Sequence, residues 1–84
     1  MTMENQMNRI KEIFCEIVGV DESEVDDNTS YQSLEPWDSL KHLAIVSRLE
    51  EEFDIDIEMD DIIAMETFKK IKELVGKYLD KEGD

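Results

Sequence analysis

Apolar residues recur along the chain at spacings of three and four, the repeat of a helix face and not the alternation of a strand. Over about residues 4 to 18 they are Met7, Ile10, Ile13, Phe14, Ile17 and Val18, one side of an amphipathic helix, and Gly19 supplies the left-handed stop that ends it. Cys15 falls off that stripe and is expected at the surface or at the boundary of the core. From Val20 to Trp37 the period fails and Asp, Ser, Asn and Pro accumulate. A long connection is predicted there, with one helical turn near Asp21 to Val25 and with Val25, Tyr31 and Leu34 anchoring it. Pro36 disfavours helix at Glu35, so a second helix is predicted to begin at Asp38 or Ser39 and to run to about Phe53. Its apolar side reads Leu40, Leu43, Val46, Leu49 and Phe53, with Ile45 off the stripe and partly exposed. A break at Asp54 to Glu58 precedes a short turn over Asp60 to Ala64. The last helix then carries Phe68, Ile71, Leu74, Val75, Tyr78 and Leu79, with Thr67 as its cap.

None of these stripes can be buried alone. The expected fold is all-α: a small bundle of three main helices plus one short helix, with a long loop between the first and second helices. No internal repeat, low-complexity tract or boundary interrupts the chain, so its 84 residues read as a single domain, 1–84. A domain of this size buries only about 60–65% of the surface its unfolded chain exposes, which argues against a deep enzymatic cleft.

Charge narrows the classes of partner. The formal net charge is −14, from 23 acidic residues against 9 Lys and Arg, which repels a phosphate backbone and excludes nucleic acid. It also opposes anionic membranes and suits basic protein partners drawn in over long range. No run of 18 apolar residues and no basic start followed by an apolar run occurs, so neither membrane insertion nor a secretory signal is expected. One cysteine cannot form an internal disulfide, and a cytoplasmic location is expected.

Candidate chemistry gathers at Pro36-Trp37-Asp38-Ser39-Leu40, a loop ending in Asp-Ser where a helix starts. Helix-start amides carry partial positive charge and favour phosphate groups, so a serine hydroxyl there is well placed for a phosphodiester. The same pair serves equally well as an ordinary helix cap, and spacing alone does not decide between them. His42 stands three residues after Ser39 and Asp38 just before it, but one short helix gives poor triad geometry, and His42 is expected to face partners or solvent. Trp37 is either an exposed apolar neighbour of the serine or a lid on the core. A second constellation, Asp54, Asp56 and Glu58, alternates like the start of a calcium loop. Met59 then stands where glycine is needed and Met65 where the bidentate glutamate belongs, so no metal site is expected.

The stretch from about Arg9 to Val75 resembles the acyl carrier protein family, including related peptidyl carriers. The resemblance is carried by Ile17-Val18-Gly19-Val20, the loop with Val25 and Tyr31, Asp38-Ser39-Leu40, and Leu49-Glu50-Glu51-Glu52-Phe53-Asp54 followed by Ile55 and Ile57. It implies that a separate transferase attaches 4'-phosphopantetheine from coenzyme A to Ser39, whose terminal thiol carries cargo as a thioester. It implies no catalytic residue and no enzyme activity in the chain itself. The implied partners are a phosphopantetheinyl transferase, an acyl- or aminoacyl-activating ligase and acyl-processing enzymes, met by a monomer. Transferase and partner recognition would fall to Trp37, Asp38, Leu40, Lys41, Ile45, Glu50 and Ile62. Leu43, Val46, Phe53, Ile62 and Ile71 would line an acyl pocket. Fatty-acid carriers usually have acidic residues two after the serine and three further on, where this chain has Lys41 and Ala44. That departure implies a specialised biosynthetic pathway in place of bulk fatty-acid synthesis. Alternatives are an aminoacyl or peptidyl carrier, and, from another class, an acidic helical adaptor or divalent-cation-binding protein without an arm.

Overall fold

A computed structural model of the chain describes residues 3–82. Helix α1 (Met3–Val18) is followed by a single 3-10 turn (Glu22–Glu24), α2 (Ser39–Phe53), a short α3 (Met59–Ala64) and α4 (Phe68–Glu82). Among the described residues there is no strand, only an isolated antiparallel bridge between Ser30 and Thr67. The all-α bundle predicted from the stripes is therefore the fold.

Local signals end these helices as the sequence suggests. Gly19 adopts φ 83°, and its N–H and that of Val20 both donate to the Cys15 carbonyl, at 2.8 and 3.2 Å. Asp21 caps the 3-10 turn in a reciprocal box, accepting from Ser23 N–H while Glu24 accepts from Asp21 N–H. Hydrogen bonds from the Ser23 hydroxyl, and then from its N–H, hold the Asp21 carboxyl below its ordinary range. Thr67 caps α4, its Oγ1 accepting from Lys70 N–H at 3.1 Å.

The long connection is fixed by its backbone. Tyr31 N–H donates to Glu66 O at 2.9 Å and Phe68 N–H to Thr29 O at 2.8 Å, stapling the loop to the turn between α3 and α4. Lys72 adds an ion pair with Asp27 and pulls that carboxyl down in pKa. Val25 is buried as expected and Leu34 half-buried, whereas Tyr31 stays exposed.

The core is centred on Phe14, which meets Trp37 edge-on at 4.9 Å between ring centroids and lies 5.3 Å from Phe68. Ile10, Ile13, Val18, Ile71 and Val75 pack around them from α1 and α4. Two expectations need correction. Cys15 is buried, 7% exposed, because the chain reverses at Gly19 and lays the 3-10 turn along that flank of α1. Helix α2 faces differently from the stripe read along it: Ile45, Val46 and Leu49 are buried and Phe53 half-buried, while Leu40 is 80% and Leu43 55% exposed. At about 100° per residue, Leu40 and Leu49 point to opposite sides of a helix, so they cannot share a face. Ile45 and Leu49 can, being only about 40° apart.

Candidate functional site

Helix α2 begins at the Asp-Ser pair, and the two residues divide the work there. Asp38 is extended, with φ −109° and ψ −179°, and is the cap: its Oδ1 accepts from Lys41 N–H at 2.9 Å and its carbonyl from His42 N–H at 2.8 Å. Ser39 is the first helical residue, and its side chain is exposed. Among the described residues no hydrogen bond engages Ser39 Oγ, so Asp38 and not Ser39 serves as the side-chain cap. The loop before it is held by Trp37 N–H, which donates to Leu34 O at 3.0 Å.

Ser39 stands at the edge of an open, mainly apolar groove of about 380 Å³ between α2 and α3. Leu43 from α2 and Met59 and Ile63 from α3 form its exposed apolar sides, with Ile62 and His42 half-buried beneath and Tyr31 and Glu66 at its end. Of the five residues expected to line an acyl pocket, Leu43 and Ile62 border this groove. Val46 and Ile71 are buried in the core and Phe53 is half-buried against it, and none of the three borders the groove. The turn of α2 explains this, since it sends Val46 inward and Leu43 outward.

The residues expected to meet partners separate in the same way. Asp38 and Leu40 are exposed beside Ser39, and Lys41 and Ile62 are half-buried. Trp37 is only 2% exposed and Ile45 fully buried, so neither presents a surface to a partner, and Trp37 is the lid on the core. Glu50 is half-buried, and its Oε2 accepts from Ile57 N–H at 2.9 Å, pinning the link between α2 and α3. It lies about 16 Å along the helix from Ser39.

His42 departs furthest from its expected place. It is half-buried; Nδ1 accepts from Trp37 Nε1–H at 3.0 Å, and Nε2–H donates to Ile62 O at 2.9 Å. An indole can only donate and a carbonyl only accept, so the ring is neutral and carries its proton on Nε2. Tyr31 packs edge-on against Trp37 at 5.7 Å and against His42 at 6.1 Å, completing an aromatic group behind the serine. The start of α3 is held from the other side by Tyr78, whose hydroxyl donates to Asp61 and accepts from Glu58 N–H at 3.0 Å. The hydrogen bond to Asp61 raises the phenol's pKa.

Glu50 to Asp61, which joins α2 to α3, holds eight acidic residues among twelve. Among the described residues no group of three or more His, Cys, Asp or Glu is arranged to hold a metal ion. Asp54 instead ends α2 in the left-handed conformation, φ 54°, its N–H donating to Glu50 O. No helix among the described residues is long and apolar enough to cross a membrane.

Residues 8–76 match the family described as a phosphopantetheine attachment site. In three dimensions the chain is similar to the solution structure of a holo acyl carrier protein from Geobacter metallireducens, with a TM-score of 0.80 and 22% identity. The match covers 90% of this chain and 87% of that one, and it is a likeness of fold.

Proposed function

The chain belongs to the phosphopantetheine attachment site family of carrier proteins, and on that premise we propose that Ser39 is its attachment point and that it carries acyl groups as thioesters between separate enzymes. The observation that supports this reading most directly is an exposed, uncapped serine hydroxyl on the first residue of α2, at the edge of an apolar groove. Asp38 fixes where the helix begins, and so aims Ser39 outward with the helix-start amides around it. When bound, the arm supplies a thiol that holds cargo as a thioester and reaches several enzymes, at a high local concentration for whichever has docked the carrier. Ser39 is then an anchor and not a nucleophile, in keeping with carrier domains that are not themselves catalytic.

Leu40, Leu43, Met59 and Ile63 surround the serine with exposed apolar surface, which suits docking by a phosphopantetheinyl transferase and by acyl-processing enzymes. Lys41 and Ala44, on the first turns of α2, support a specialised pathway over bulk fatty-acid synthesis, because a basic patch on a docking enzyme would repel Lys41. We take the carrier domain to act as a monomer. The test is incubation with coenzyme A and a broad-specificity phosphopantetheinyl transferase: intact mass should show one added phosphopantetheine on wild type and none on Ser39→Ala. Modification that survives in Ser39→Ala would overturn the assignment.

A further inference from the structure

His42 stands between the groove and the core. On the groove side are Ser39, Leu43 and Ile63, and the groove floor reaches the core at Met65, which is 1% exposed; deeper in the core Ile45, Val46 and Ile71 are buried, and none of these three borders the groove. Both ring nitrogens are committed, Nδ1 to the indole of Trp37 and Nε2 to the backbone of Ile62. The imidazole thus ties the first turns of α2 to the preceding loop and to α3 at once. A chain passing from the groove into the core must part α3 from α2 and break the bond to Ile62 O. That leaves a half-buried carbonyl and imidazole unpartnered, and turning the ring to find a new partner strips the acceptor from the Trp37 N–H, which lies almost wholly inside the core. Tyr78 holds the far side of the same short helix and opposes the same movement.

From this geometry we infer that His42 determines cargo specificity by sealing the groove from the core. Cargo on the arm stays in the surface groove, and the protein takes short or polar acyl and aminoacyl groups in preference to long saturated chains. The inference rests on the reading of Ser39 as the attachment point. A short chain buries too few methylenes to offset the broken hydrogen bonds, and even a long one gains burial only after the seal opens. His42 acts here as a positioning residue, through the separation of α2 and α3.

The test compares acetyl- and decanoyl-loaded holo protein by NMR, for wild type, His42→Val and His42→Gln. In wild type the core amides of Ile45, Val46 and Ile71 should respond alike to both cargoes, with shifts concentrated at Ser39, Leu43 and Ile63. In His42→Val the decanoyl chain should perturb those core positions about fivefold more than acetyl does, as the buried state becomes populated. His42→Gln, whose amide can both accept and donate, should return part of the way to wild type. A purely structural role would lower the thermal midpoint of both variants without creating any dependence on chain length. Wild-type core shifts that already grow with chain length, or a folded His42→Val without that dependence, would overturn the inference. Should His42→Val fail to fold, the wild-type comparison and His42→Gln still decide it. If no arm goes onto Ser39, the attachment reading fails by itself, and the seal is judged on Ser39→Cys, Cys15→Ala protein coupled to ethyl or decyl methanethiosulfonate, with the same shifts expected.

Discussion

Cys15 lies on the flank of α1 that the turn after Gly19 covers, and burial there raises its thiol pKa, with the charges of Glu22, Asp21 and Glu24 adding to the effect. The folded state therefore favours the neutral thiol. Its contribution to stability is fully present below the unfolded thiol's pKa, about 8.5, and is lost as pH rises from there through the raised folded value. Reaction with a thiol-specific disulfide reagent at pH 8 should be roughly tenfold or more slower in native protein than in urea. Equal rates would mean that the flank is open. The sequence pattern could not show this burial, because the partner covering Cys15 is a turn whose own residues are polar. His42 was hidden for a similar reason. Its spacing from Trp37 is visible, but its second partner is the Ile62 carbonyl, and a backbone group has no signature in a sequence. Gly19 and Asp38 were legible because a stop and a cap act within a few residues of themselves.

The three long helices begin and end close to where the apolar period predicts, since that period is a local property of each segment. Which way α2 faces depends on what it packs against, and here a pattern of repeated threes misleads. Spacings of three drift by about 60° a step, so a run of them winds around the helix. The orientation is testable by two truncations. Ile45→Ala removes a fully buried side chain and should cost about 2–5 kcal/mol of unfolding free energy in a urea titration. Leu40→Ala should stay within about 0.5 kcal/mol, the range of most surface changes. The opposite order would restore the stripe through Leu40 and Leu43 as the core face. The loop from Val20 to Trp37 showed its anchor Val25 in the sequence. Its backbone bonds to Glu66 and from Phe68 join segments far apart in the chain, and no local pattern encodes them.

At the scale of the whole molecule, charge opposes the fold and directs its encounters. A net charge of −14, with eight acids between Glu50 and Asp61, repels itself within a small bundle. Added monovalent salt or millimolar divalent cation should raise the thermal midpoint at neutral pH; a flat or falling midpoint would show that this repulsion does not limit stability. Exposed charges are screened over roughly 8–10 Å at physiological ionic strength, so the same field should tune docking in a salt-dependent way. Armed wild-type protein should be a poor substrate for a fatty-acid elongation enzyme, and Lys41→Asp with Ala44→Glu should raise kcat/KM by an amount that shrinks at high salt. Wild type that matched an authentic fatty-acid carrier would remove the support for a specialised pathway. The docking expectations presuppose an arm on Ser39, and mass spectrometry tests that most directly: intact mass after transfer from coenzyme A, followed by fragmentation to locate the added group. The account predicts one phosphopantetheine, on Ser39 alone, and none on a folded Ser39→Ala protein. An unmodified wild type after trials with several transferases, or an arm found on any other residue, would contradict it.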